Sequence, residues 1–341
     1  MRARRGAHPW VTGVAGTLLL AVLAVLAGCS PGGQEEEVTV GLITKQEENP
    51  YWVEMREVAQ ETADDLDVEL LTATGTSDTD VASQEAALDD MVAQGVDGIL
   101  IAPTDATALD AAISRAQEAG VRVIAVDTPT DPPELVQATF ATDNERAGEL
   151  IGRYAAAQVE QLGLEPRVVM LDMSPTVVSA QERHDGFVEA FAEQVEVTDS
   201  TFGQVVDTQG DRDTAAVLMT QLLEDDPDLN VVYTVNEPAA LGALAALEDA
   251  GADLDEIVLV SVDGGCAAMR EGVRPGLIDA TAMQYPQNMA REGVRAIARA
   301  VREGQEPTGY LDTGTLLVSD APVEGVESRR VEFGVRTCWG S

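Results

Sequence analysis

The sequence predicts an α/β fold of two similar lobes, each built on a parallel sheet. Three observations lead there: short β-branched runs alternate with segments of helical period, the runs are apolar almost throughout, and the series occurs twice. Strands that are apolar on successive residues are covered on both faces, as in a parallel sheet. Strand and helix in alternation then imply right-handed crossovers.

In the first series the predicted strands are Val38 to Thr44, Val68 to Ala73, Gly98 to Ile101 and Val123 to Val126. Between the first two, Met55, Val58, Ala59, Thr62 and Leu66 recur at helical steps and form one stripe. Leu88, Met91 and Val92, with Val81 a heptad earlier, do the same before the third strand. The second series has strands at Arg167 to Leu171, Val231 to Thr234, Ile257 to Val262 and Leu277 to Ala282, with helices that include Asn144 to Gln161 and Glu237 to Ala250.

The two series echo each other. Gly98 to Pro103, Ala119-Gly120 and Val123-Ile-Ala-Val-Asp127 are matched by Val231 to Thr234, Ala250-Gly251 and Val258-Leu-Val-Ser-Val-Asp263. Each lobe thus ends a buried strand with an aspartate. Ligands of open α/β sheets lie beyond the carboxyl ends of the strands, so two such ends facing each other line one cleft. A carboxylate there can accept hydrogen bonds from vicinal hydroxyls, which makes Asp127 and Asp263 the first binding candidates; the plain alternative is that each caps a turn or helix.

A second candidate group follows the first strand, where Asn49-Pro50-Tyr51-Trp52 places two adjacent aromatics at a strand-to-helix junction. With thirteen aromatics in the chain, such a pair either covers the apolar face of a ligand while Asn49 binds its rim, or packs beneath the helix. Lys45, the chain's one lysine, either bridges to a ligand or extends into solvent.

The amino terminus reads as an export signal. Arg2, Arg4 and Arg5 precede an uncharged, mostly apolar run from Val11 to Ala27, too short for a membrane span. It ends in Leu26-Ala27-Gly28-Cys29, which resembles the lipobox of bacterial lipoproteins and implies cleavage before Cys29 and acylation of its thiol. Residues 1–28 are then the signal peptide and 29–37, with Glu35, Glu36 and Glu37, a solvated tether. The net charge of −39 becomes three units more negative without the leader arginines, which disfavours nucleic acid as a partner. Cys266 and Cys338 travel to an oxidising compartment, where they pair or remain as two buried thiols.

Six motifs in order support a resemblance: Asn49-Pro50-Tyr51-Trp52 behind Thr44-Lys45, Asp127-Thr-Pro-Thr, Phe140 to Asn144 with Ala147-Gly148, Asn236-Glu-Pro-Ala-Ala, Val262-Asp263-Gly-Gly-Cys266 and Met283-Gln284-Tyr285-Pro286. From about Val38 to about Val318 the chain resembles the type I periplasmic sugar-binding family, most of all the fructose-binding component of an ABC importer and, more distantly, ribose-binding proteins. The resemblance implies two Rossmann-like lobes joined by a multi-strand hinge near Thr142 to Asp143, Ala282 to Gln284 and Asp312 to Leu316. Residues 38–142 plus about 285–312 would form the first lobe, and 143–284 plus about 313–341 the second.

It further implies sugar contacts from Asn49, Tyr51, Trp52 and Asp127 in the first lobe and from Arg183, Asn236 and Asp263 in the second, with Gln284 at a crossover. Arg183 read alone is equally a surface partner of Glu182 or Asp185. In the ribose relatives an arginine follows the first aspartate, where this chain has Thr128, and an aromatic stands near Gly210. The departures leave room for a different or larger sugar.

The expected protein is therefore a monomeric, membrane-anchored binding component that delivers a fructose-like monosaccharide to ABC permease subunits, with no cofactor or metal. A sensor reporting the same sugar to a chemosensory or kinase system would read the same closed form. An enzyme is disfavoured: His184 is the one histidine beyond the leader, no phosphate-loop glycine pattern follows the first strand, and carboxylates among neutral amides suit hydroxyl binding better than glycoside cleavage. A sugar-responsive repressor would need a helix-turn-helix where this chain has its leader.

Overall fold

The computed structural model describes residues 37–198 and 200–340. The leader, Cys29 and all of the tether except Glu37 lie outside the described residues.

Strands β1 (Val38–Thr44), β2 (Val68–Thr74), β3 (Gly98–Ile101), β4 (Arg122–Val126) and β5 (Ala138–Ala141) alternate with helices α1 (Pro50–Leu66), α2 (Val81–Gln94) and α3 (Asp110–Glu118). Next come α4 (Asn144–Leu162), β6 (Val168–Asp172), α5 (Val178–Ala192), β7 (Phe202–Asp207), α6 (Arg212–Asp225), β8 (Val231–Thr234), α7 (Glu237–Ala250), β9 (Val258–Asp263) and β10 (Ala280–Met283). The chain ends with α8 (Pro286–Glu303), β11 (Gly309–Asp312), β12 (Leu316–Val318), β13 (Ser328–Arg329) and α9 (Val331–Thr337).

These strands form two sheets, ordered β11-β5-β4-β3-β1-β2 and β13-β12-β10-β9-β8-β6-β7. All neighbours are parallel except β10 and β12. The first sheet is covered on both faces. Leu42, Leu100, Ile124 and Val126 pack with Met55 and Met289 on one side, and Ile43, Ile99 and Ile101 with Leu88 and Ile113 on the other. Met55, Val58, Ala59 and Thr62 of the α1 stripe are buried, and Leu66 is half-buried.

The chain passes between the sheets at 141–144, 283–286 and 312–316, and hydrogen bonds tie the passages together. The Thr313 amide donates to Ala141 O at 2.9 Å, Thr315 Oγ1 to Met283 O at 2.9 Å, and Asn288 Nδ2 to Thr313 O at 3.2 Å.

One strand begins later than its apolar run suggests. Leu277 and Ile278 are not in β10, because their amides donate back to Gly272 O, closing the π-helical turn Ala268–Val273. Edge strands β7 and β11 lack an apolar run altogether and are largely exposed.

Helix α4 lies tightly against α5. A Cβ on Gly148 would overlap the Arg183 carbonyl, so glycine there permits the close approach that fixes the backbone of Arg183.

Candidate ligand-binding site

The site begins with two matched strand ends. Asp127 directly follows β4 and Asp263 ends β9, and both have positive φ, 66° and 100°. Among residues with a Cβ, aspartate tolerates this region better than most. The two carboxylates come from different lobes, are buried, and line the same cavity.

From the first lobe, Asn49 caps α1 by accepting from the Tyr51 amide at 2.9 Å, which starts the helix with its two aromatics turned toward the cavity. The Tyr51 hydroxyl donates to Asp127 Oδ1 at 2.8 Å. Trp52 meets Tyr51 edge-on with centroids 4.8 Å apart, and its indole N–H donates to Asp78 Oδ1 at 3.2 Å. Both rings are buried, so each serves as cavity wall and core at once.

Lys45 is buried too, and the solvated alternative is wrong: the chain turns inward after β1 and the ammonium finds partners there. Its Nζ donates to Thr128 Oγ1 at 2.9 Å, lies 3.4 Å from Asp127 Oδ2, and stands 5.5 Å above the Trp52 ring.

From the second lobe, Arg183 points inward rather than toward Glu182 or Asp185. Its Nε donates to Asn144 Oδ1 at 2.8 Å and one terminal nitrogen to Val235 O at 2.9 Å, 3.7 Å from Asp263 Oδ1. Asn236 caps α7 through Ala239 N at 3.0 Å, and its Nδ2 donates to Gly210 O at 3.2 Å. Gln284, on the 283–286 passage, donates to Asp263 Oδ1, and its own buried Oε1 has no partner among the described residues.

All nine residues from Lys45 to Gln284 that the sequence marked thus line one cavity. Asp78, Met173, Val177 and Ser179 line it as well and were not marked. Asp78 lies in a polar Ser-Asp-Thr-Asp loop, where nothing distinguishes a buried carboxylate from a solvated turn residue. Met173 sits against Gly210, on the side where the sequence lacks a bulky ring.

The lining carries three carboxylates and two cations, with Lys45 beside Asp127 and Arg183 beside Asp263. Burial pushes the Asp263 carboxyl up while Arg183 opposes the shift; burial likewise raises Asp78, with Lys45 opposing. Burial first, and the Asp127 charge second, raise the Tyr51 hydroxyl well above its ordinary value, so it remains a proton donor. Such a lining offers donors and acceptors side by side without a large net charge, which suits a neutral polyhydroxylated guest.

This chain belongs to the periplasmic binding protein domain family, whose model matches residues 40–306. It is 28% identical over 267 residues to the ribose import binding protein RbsB of Bacillus subtilis, covering 78% of this chain and 83% of that one. It is 26% identical over 317 residues to the galactofuranose-binding protein YtfQ of Escherichia coli, covering 92% and 98%. Among solved structures, an ABC transporter solute binding protein from Agrobacterium vitis with bound D-fucose superimposes with a TM-score of 0.74 at 26% identity, covering 84% of this chain and 97% of the other.

Proposed function

We propose that this protein binds a single monosaccharide, of the fructose type, between its two lobes and delivers it to the permease of an ABC importer. The observation that carries this reading is the meeting of Asp127 and Asp263, one from each lobe, in a cavity completed by Arg183, Asn236, Gln284, Asn49 and two rings. The free Oε1 of Gln284 is an acceptor for a ligand hydroxyl. Relatives named for ribose and galactofuranose and a neighbour holding D-fucose support a monosaccharide guest.

On this reading the sugar settles on one lobe, and the other closes over it about the passages at 141–144, 283–286 and 312–316. The protein is exported, acylated at Cys29 and held at the outer face of the cell membrane as a monomer. A thermal-shift screen over free ketoses, aldoses and polyols tests the ligand: at a hundred times its dissociation constant the right sugar adds about 2.7 kcal/mol to the folded state. Silence across all three classes would remove the sugar reading. Fractionation of cells expressing Cys29→Ser tests the anchor, since release into the soluble fraction is expected.

A further inference from the structure

The residues after α9 cross back toward the cavity. Helix α9 ends at Thr337, and Cys338 is joined by a disulfide to Cys266 in the second lobe, with Cα atoms 4.9 Å apart. The Cys266 amide donates to Trp339 O at 2.8 Å, so the backbone of Trp339 belongs to that lobe. Its ring does not. Trp339 is only 3% exposed and packs in the first lobe's core with Tyr51, Trp52 and Met289. The indole meets the Tyr51 ring edge-on at 5.1 Å, and its N–H donates at 2.9 Å to the carbonyl of Gln284 on the 283–286 passage. Gly265 leaves space for it, since a Cβ there would come within 2.9 Å of Cζ3.

Trp339 does not line the cavity. It touches two residues that do, and one of them, Tyr51, holds Asp127 through its hydroxyl. We infer that Trp339 is a positioning residue for ligand binding: fastened to the second lobe by Cys266–Cys338, its ring backs Tyr51 and so sets the hydroxyl that orients Asp127. The inference rests on the proposed reading of the cavity. Physically, the Tyr51 ring is held by edge-on contacts with both Trp52 and Trp339, and removing one frees it to rotate away from the carboxylate.

The test compares Trp339→Ala, Trp339→Phe and the double variant Cys266→Ala/Cys338→Ala by calorimetric titration with the sugar that the screen identifies. Trp339→Ala is expected to weaken binding about tenfold or more and Trp339→Phe, which keeps an edge-on ring, by no more than about threefold. The cysteine variant, with the ring intact but untied, should fall between. A purely structural tail would lower the melting temperature and leave the affinity alone. A ligand-free readout comes from the Trp52 indole N–H resonance of 15N-tryptophan-labelled protein, because Trp52, like Trp339, packs edge-on against Tyr51: it should shift in Trp339→Ala. Wild type that binds no sugar sinks the ligand reading, and the resonance then decides this one. Unchanged affinity, or an unmoved Trp52 signal, in Trp339→Ala overturns it; if that variant does not fold, the same outcomes in the cysteine variant do.

Discussion

Lys45 and Asp127 form a buried ion pair, Nζ to Oδ2 at 3.4 Å, with both side chains at most 6% exposed. Thr128 Oγ1 receives the lysine and itself donates to Asp127 Oδ2 at 2.8 Å, so the three groups form a closed triangle at the end of β4. The Trp52 ring covers the ammonium from the other side.

Replacing Lys45 by methionine keeps the chain length and removes the charge from between two buried carboxylates, Asp127 and Asp78. Breaking a buried pair on one side leaves an uncompensated charge, and a loss of about 3 kcal/mol or more in urea unfolding is expected. An unfolding midpoint equal to wild type would show that the pair contributes nothing.

Asp127→Ala and Asp263→Ala act on binding. Each removes an acceptor from a buried hydroxyl set, and each should weaken sugar affinity by more than about 2 kcal/mol, roughly thirtyfold. Titration calorimetry reads this directly; a variant that keeps wild-type affinity takes its residue out of the site.

These strand-end aspartates were legible because the sequence marks them twice, as an apolar run closed by Asp in each half of the chain. Asn49, Tyr51 and Trp52 were legible for a similar reason, since a capping residue and proline fix where α1 starts. Lys45 was legible as a candidate but its burial was not, because a lone lysine carries no sign of whether its surroundings hold carboxylates. Asp78 and Trp339 were beyond reach for a geometric reason: the partners of Asp78 lie on the loop after β1 and the start of α1, and Trp339 meets Tyr51 only after the chain has crossed the hinge three times. Strands β7 and β11 escaped notice because edge strands with exposed side chains need no apolar run.

Gly148 tests the scaffold behind Arg183. An alanine methyl would collide with the Arg183 carbonyl, a backbone atom that cannot swing aside, so α4 and α5 must separate. Gly148→Ala should lower stability by about 2 kcal/mol, despite alanine's better helix propensity, and should weaken ligand binding by moving Arg183. Thermal denaturation that finds the variant as stable as wild type would mean that α4 and α5 can part at this contact without cost.

Glu237 lies behind the site, and its pH response has a definite sign. Its backbone amide donates to Asp263 Oδ2 at 3.1 Å, and its carboxylate, 5% exposed, accepts from the Ala268 amide at 3.2 Å. Burial, and then the charge of Asp263, raise the carboxyl from 4.5 to about 7. Between those two values the folded protein holds a proton that the unfolded chain has released. Stability contributed by this group is therefore present at low pH and lost as pH rises from about 4.5 to 7, by at most about 3 kcal/mol. Glu237→Gln stays neutral throughout, so the stability of the variant minus that of wild type should increase across this window and level off above it. Taking the difference cancels titrating groups that do not interact with Glu237, such as Asp279, which burial raises to about 6. Denaturant unfolding of both proteins at pH 5, 6, 7 and 8 measures it, and a difference that does not vary with pH would mean that Glu237 titrates as an ordinary carboxyl.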